Sequence, residues 1–258
     1  MKEYILITGA SSGIGHEMAH QLAALKYNLI LTARSKDKLK TMQEDLTLKH
    51  GVEVHYFPKD LSKKNQVLEL YNEVKTAKLK VSHLVNNAGF GNYGHFEETS
   101  LEEELKMIDL NISSLVILTK LFTKDMVARK SGRIMNIASL LAFLPFPYQS
   151  VYSASKSFVQ AFSETLAAEL EGTGVVVTSL APGITETAFI PGEMRKMNLL
   201  KSTKPMPVKT VAEAGVKLLL HGKGKRIVGF QNRFNAVLAK LLPSAAMMKV
   251  KKKLASIK

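Results

Sequence analysis

Tyr4-Ile5-Leu6-Ile7-Thr8 runs directly into Gly9-Ala10-Ser11-Ser12-Gly13-Ile14-Gly15. A short aliphatic run ends in a turn with glycines at 9, 13 and 15, and an amphipathic pattern over residues 14–26 follows at once. Such a strand–turn–helix junction has specific physical demands. One glycine makes the tight turn, one lets the backbone approach a pyrophosphate, and one lets the helix pack on the strand. The helix N-terminus then presents free N–H groups to an anion. The spacing is Gly-x3-Gly-x-Gly rather than the Gly-x-Gly-x2-Gly of the usual dinucleotide fingerprint. The alternative is a Gly/Ser-rich turn with no ligand; its place directly after the first strand favours the phosphate cradle.

Outward from this junction the same rhythm repeats. Strands are expected at 4–8, 28–32, 52–57, 83–87, 133–138, 175–181 and 226–230, and helices over 14–26, 36–49, 63–79, 101–130, 152–171 and 210–221. The strand runs are continuously apolar rather than alternating, as when both faces of a sheet are covered. Strand–helix alternation of this kind predicts an α/β fold: a doubly wound, Rossmann-type, mostly parallel seven-stranded sheet in a single domain. That catalytic domain is expected over residues 1–230, with a substrate loop at about 183–210, where the pattern loosens. Residues 231–258 read as a basic amphipathic C-terminal extension.

The chain has 258 residues, 46% of them hydrophobic, enough for a full core. It has no cysteine, which excludes disulfides, thiolate catalysis and Cys-ligated metal. The seven histidines form no spaced ligand cluster, so no metal is expected. The first apolar run is too short for a secretion signal, and no stretch approaches membrane-spanning length, so a cytoplasmic protein is expected. The net charge of +14 is localised. Residues 195–258 hold 16 of the 36 Lys and Arg but only one of the 22 acidic residues, Glu213, so that segment carries +15 and the rest −1. Nucleic-acid motifs and interleaved aromatics are absent from the basic segment, and no nucleic-acid partner is expected.

The second strand ends at Thr32-Ala33-Arg34. A site for NAD offers a carboxylate here to the ribose 2′-OH. None occurs from Asn28 to Lys36; Arg34 stands in its place and can pair with a 2′-phosphate. A surface arginine opening a helix is the bland alternative. Asp60-Leu61 and Asn86-Asn87-Ala88-Gly89 follow the third and fourth strands, at the carboxyl edge where α/β folds bind ligands.

Tyr152-Ser153-Ala154-Ser155-Lys156 places a tyrosine and a lysine four apart on one helix face. A free tyrosine has a pKa of about 10, and lowering it to about 7 takes roughly 4 kcal/mol, which a neighbouring ammonium is expected to supply. Ser139 ends the fifth strand, placed to hydrogen-bond a substrate oxygen held against Tyr152. Singly, each has a structural reading, as a core tyrosine or a helix-capping serine.

Thr8–Gly15, Asp60, Asn86–Gly89, Asn111, Ser139, Tyr152, Lys156 and Pro182-Gly183 together resemble the short-chain dehydrogenase/reductase family, over roughly residues 1–230. The resemblance implies an NADP(H)-dependent oxidoreductase. Asn111 would hold a water that relays protons to Lys156. Gly9, Ser11, Ser12, Gly13, Ile14, Gly15, Asn87, Ala88 and Gly89 would line the cofactor, with Asp60 at the adenine beside Leu61. Ile184 and Thr187, after Pro182-Gly183, would touch the nicotinamide carboxamide or the phosphates. Arg34 looks like the NADP-type choice, although Ser12 stands where some such members carry a basic residue. Tyr152 would protonate the developing alkoxide and, with Lys156, contact the cofactor; Lys156 would sustain Tyr152 and bind the nicotinamide ribose, and Ser139 would orient the carbonyl. The family's subunits often pair through the helices matching 101–130 and 152–171, which implies a homodimer or homotetramer.

The loop Leu140-Leu141-Ala142-Phe143-Leu144-Pro145-Phe146-Pro147, the residues Phe90, Tyr93 and Phe96, and the segment carrying Phe189, Ile190, Met194 and Met197 suggest an apolar carbonyl or secondary alcohol, lipid-like or steroid-like. Packing of the lid or of a subunit contact is the competing account. Catalytic silence, with NADPH binding as the function, is a further alternative that the complete Ser139, Tyr152 and Lys156 set disfavours. Met247, Val250, Leu254 and Ile257 recur at helical spacing among Lys249, Lys251, Lys252 and Lys253. Such a helix either lies weakly on an anionic membrane or packs on the enzyme.

Overall fold

The computed structural model describes residues 2–187, 203–241 and 244–255. Seven strands alternate with helices: β1 (Glu3–Thr8), α1 (Gly13–Ala24), β2 (Asn28–Ala33), α2 (Lys36–His50), β3 (Val54–Pro58), α3 (Lys64–Thr76), β4 (Lys80–Asn86), α4 (Leu101–Ile108), α5 (Ser114–Ala128), β5 (Gly132–Ile137), α6 (Ser150–Glu169), β6 (Val175–Ala181), α7 (Val208–His221), β7 (Gly224–Ile227), α8 (Phe230–Leu241) and α9 (Ser244–Ala255). The sheet order is β3-β2-β1-β4-β5-β6-β7 and every pairing is parallel. The order reverses between β1 and β4, and the crevice at that switch point is where such sheets bind ligands. This is a single Rossmann-type domain with helices on both faces, as expected.

Alternation along β1 shows why its sequence is continuously apolar. Ile5 and Ile7 enter a core shared with Met18 and Leu22 of α1 and Leu39 of α2. Tyr4 and Leu6 enter the opposite core, with Val67 and Leu70 of α3 and Leu118 and Phe122 of α5. Every residue of β1 after Glu3 is buried.

Three expected elements differ. The segment 101–130 is not one helix. Ser100 caps α4 by accepting from Glu103 N, with three glutamates in the first turn, but the chain then passes through a π-helical turn, Asp109–Ser113, before α5. The seventh strand lies earlier than 226–230, because Gly224 and Gly229 take left-handed φ of 67° and 91° at its ends and Phe230 opens α8. The row Phe158, Phe162, Leu166, Leu170 is divided: Phe158 is exposed, whereas Leu166 and Leu170 pack on the core between the sheet and α3 and α5.

Among the described residues no helix is long and apolar enough to cross a membrane. Helix α9 lies on the enzyme's own loops. Ala255 packs with Tyr93, Phe146 and Tyr148, Tyr93 Oη donates to Ala255 O, and Lys251 Nζ donates to Pro145 O at 3.1 Å. Leu254 is half-buried, while the side chains of Met247, Lys249 and Val250, and all of Ile257, lie outside the described residues.

Candidate active site

The glycine turn is held by its neighbours. Thr8 Oγ1 accepts from the backbone N–H groups of Asn87 and Ala88, both at 2.9 Å. Asn87 Nδ2 donates to Thr8 O at 2.9 Å and Gly9 O at 3.2 Å. The β1 and β4 loops are thus tied into one rigid edge. Gly9 has φ of 64°, and a Cβ there would stand 2.9 Å from Ala88 Cα. A Cβ on Gly15 would collide with Asn87 Nδ2 and lie 2.7 Å from Gly9 O. Gly13, at φ 58°, faces Thr187 across the mouth of α1. Ser12 makes no side-chain cap, Ser11 and Ile14 are half-buried, and the helix start carries no acidic residue. Backbone N–H groups at a helix start beside glycines that admit no side chain fit a pyrophosphate.

Arg34 is exposed just beyond β2 and acts electrostatically on Asp60, just beyond β3. Burial pushes the Asp60 carboxyl up, but hydrogen bonds from the Ser62 hydroxyl and backbone, with Arg34 nearby, outweigh it and hold the group below its ordinary value. Leu61 is different. Its side chain is buried in the core with Val67 and Leu70, so only its backbone is left for a ligand.

The fold brings Ser139, Tyr152 and Lys156 together, buried, where β5 ends against α6. Ser139 hydrogen-bonds the Tyr152 hydroxyl and accepts from Leu141 N at 3.1 Å. Lys156 Nζ donates to Ile137 O at 2.9 Å and lies 5.9 Å from the centroid of the Tyr152 ring. The expected lowering of the tyrosine is not what this geometry gives. Burial pushes Tyr152 up to about 12, against a smaller downward pull from Ser139, and burial brings Lys156 down to about 8. Desolvation acts on both groups and favours the neutral form of each.

Asn111 sits in the π-helical turn, buried. Its Oδ1 accepts from Phe90 N at 3.1 Å, and its Nδ2 donates to Phe90 O at 2.9 Å and Ser155 Oγ at 3.1 Å. Gly89 lies between this amide and Lys156: a Cβ there would be 2.9 Å from Asn111 Oδ1 and 3.4 Å from Lys156 Nζ. π-helical turns recur at functional sites because the extra residue re-aims a side chain.

The loop after β6 is held at its start by three hydrogen bonds. Pro182 O accepts from Leu140 N at 2.7 Å, Gly183 O accepts from Thr185 Oγ1 at 2.9 Å, and Ile184 O accepts from Met206 N at 2.9 Å. Phe189, Ile190, Met194 and Met197 lie outside the described residues. Phe96 is exposed, and Tyr93 is engaged by α9. Sequence reasoning missed Gly91, where a Cβ would lie 2.9 Å from the Tyr152 ring, and Ser155, the partner of Asn111. No spacing signal marks either one; Thr8, just before the first glycine, was the visible clue to the tie between loops.

A parallel sheet with a glycine cradle at its switch point and a buried Ser–Tyr–Lys group defines a Rossmann-type oxidoreductase. The short chain dehydrogenase model matches residues 3–197. Sulfoacetaldehyde reductase 2 of Chromohalobacter salexigens is 36% identical over 220 residues, 83% of this chain and 86% of its own length. The human very-long-chain 3-oxoacyl-CoA reductase is 33% identical over 242 residues, 92% of this chain and 72% of the relative. A short-chain dehydrogenase from Sphingobium yanoikuyae, solved in complex with NADPH, superposes with a TM-score of 0.83 at 27% identity, covering 98% of each chain. The chain belongs to the short chain dehydrogenase family and is an oxidoreductase acting on CH–OH or C=O groups.

Proposed function

We propose that this enzyme reduces the carbonyl of an apolar substrate, or oxidises the matching secondary alcohol, with NADP(H). The observation that carries this reading is the buried contact of Ser139 with Tyr152, with Lys156 under the tyrosine ring, beside the glycine cradle. The backbone at Gly9, Ser11, Ser12, Gly13, Ile14 and Gly15 would hold the pyrophosphate, with Thr187 opposite. Arg34 would take the 2′-phosphate and Asp60, beside Leu61, the adenine side. Asn87, Ala88, Gly89, Pro182, Gly183 and Ile184 would flank the nicotinamide half. The NADPH complex of the Sphingobium relative supports this choice of cofactor. Bound there, the dinucleotide would supply or accept the hydride.

The chain's own groups handle the proton. Ser139 donates to the substrate oxygen and holds it at the Tyr152 hydroxyl. In reduction the Tyr152 O–H bond breaks as its proton joins the developing alkoxide oxygen, giving the alcohol. Lys156, whose Nζ lies 5.9 Å from the Tyr152 ring centroid, would stabilise the phenolate left behind. Asn111, tied to the Phe90 backbone, keeps a lone pair on Oδ1 facing the Gly89 side, where a water can pass a proton toward Lys156. The uncharged stretch between Leu140 and Lys156 favours an apolar substrate, and the name of the human relative, a 3-oxoacyl-CoA reductase of very long chains, is in keeping with it.

A panel of ketones and alcohols assayed with NADPH and NADP+ tests the reading. On any compound turned over, Tyr152→Phe is expected to lower kcat by a factor on the order of 10²–10⁴ while leaving NADPH affinity unchanged. A Tyr152→Phe enzyme with wild-type turnover would falsify the assignment.

A further inference from the structure

Helix α8 turns Asn232, Asn235 and Ala236 toward the domain and leaves its larger apolar side chains outside. Asn232 faces Gly183 and donates from Nδ2 to Val228 O at 2.7 Å, and Ala236 is buried on the same side. The opposite side carries Phe230, Phe234, Val237 and Leu238, which are 76%, 55%, 61% and 39% exposed. The spacing i, i+4, i+7, i+8 gathers these four into one stripe. An ordinary surface helix buries such a stripe against its own domain. Here the stripe is the part turned away. Single exposed apolar side chains are unremarkable, but a contiguous row of them marks a contact surface.

Charge selects what meets that surface. Residues 195–258 hold 16 of the 36 Lys and Arg and one of the 22 acidic residues, and neither α8 nor α9 contains an acid. Arg233 on α8, Lys223 and Arg226 just before it, and Lys252 on α9 are exposed. A second copy would bring the same basic segment to the contact and be repelled. An aromatic and aliphatic stripe on a helix that carries an exposed Arg233 and no acid, in a strongly basic segment, matches an anionic bilayer, where apolar side chains enter the headgroup–acyl boundary and cations meet lipid phosphates. We propose that α8 docks this enzyme on anionic phospholipid bilayers, with Phe230 and Phe234 inserted. Helix α9, which the sequence alone suggests for that role, turns Lys251 and Ala255 onto the enzyme's own loops. The proposal stands on the orientation of α8 and its surrounding charge, and is independent of which compound is reduced and with which dinucleotide.

Co-sedimentation of the full chain tests it, using vesicles of mixed phosphatidylcholine and phosphatidylserine and vesicles of phosphatidylcholine alone. Binding is expected on the mixed vesicles only, to fall with added salt, and to drop tenfold or more in F230S/F234S. The chain has no tryptophan, so Phe234→Trp places the sole indole in the stripe. Its emission is expected to shift to the blue on mixed vesicles and to stay unshifted on phosphatidylcholine. That variant decides the matter if the double serine variant does not fold. Negligible sedimentation with both vesicle types, an indole that does not respond, or binding indifferent to both salt and F230S/F234S overturns the proposal. So does lipid-free self-association that F230S/F234S abolishes, which would assign the stripe to a second copy.

Discussion

Arg34 and Lys156 show two different uses of a cation. Arg34 is exposed, and its value to the enzyme is geometric: a guanidinium fork at the end of β2 that a 2′-phosphate can meet bidentately. Removing one charge-assisted pair costs about 1.5–3 kcal/mol, so Arg34→Ala is expected to weaken NADPH binding roughly ten- to a hundredfold and leave NADH binding unchanged. Titration of both dinucleotides against wild type and variant checks this, and equal wild-type affinities refute it. Lys156 is buried, and burial brings it from the ordinary 10.5 down to about 8. Below pH 8 the folded and unfolded chains both carry the proton, and the full cost of burying the ammonium is present. Between the two values the unfolded chain binds a proton that the folded one lacks, so stability rises with pH, by about 3 kcal/mol for this group. Tyr152, held at about 12, runs the other way: above its ordinary 10.0 the folded chain keeps a proton the unfolded one loses, and stability falls. Urea unfolding from pH 7 to pH 10, without added dinucleotide, should show the rise in wild type and lose it in Lys156→Met.

At the scale of elements, the glycine turn is rigid because it is tied to β4 through Thr8 and Asn87. Gly15→Ala places its Cβ against Gly9 O, a backbone atom that cannot swing aside. Overpacking of this kind costs about 1–3 kcal/mol. The expected outcome is that loss in a denaturant curve, together with NADPH binding weakened beyond tenfold, since the cradle itself must shift; an unchanged affinity would show that the turn does not touch the cofactor. The strand-turn-helix junction was legible because its signals are local: an aliphatic run, three glycines and a helical period. The break in 101–130 was not. Its apolar pattern continues through the π-helical turn, and what re-aims Asn111 is hydrogen bonding to Phe90, twenty-one positions away in the chain.

At the scale of the molecule, Leu101 and Leu105 on α4 and Phe158 on α6, which stacks on Phe162 at 5.8 Å, are exposed apolar side chains on the helices that match the family's pairing elements. With the family's habit of pairing through these helices, a dimer or tetramer built on them is the expected assembly. Light scattering at micromolar concentration should exceed the monomer mass, and Leu105→Glu with Phe158→Glu should weaken association by 2 kcal/mol or more, about thirtyfold or beyond, as for buried interface anchors. A monomeric wild type refutes it. The sequence by itself determined the doubly wound parallel sheet through its strand–helix rhythm, the glycine cradle through residues adjacent in the chain, and the Tyr152–Lys156 pair through one helical turn; the place of Ser139 at a strand end was legible, but its meeting with Tyr152, thirteen residues on, is made by the packing of β5 against α6. Tertiary structure alone decided the rest. How far Tyr152 and Lys156 depart from their ordinary pKa values depends on how completely water is removed from them. Likewise, α8 turns its apolar stripe outward and α9 turns Lys251 inward, because a helix's own sequence defines its faces but only the surface it meets selects which face is covered.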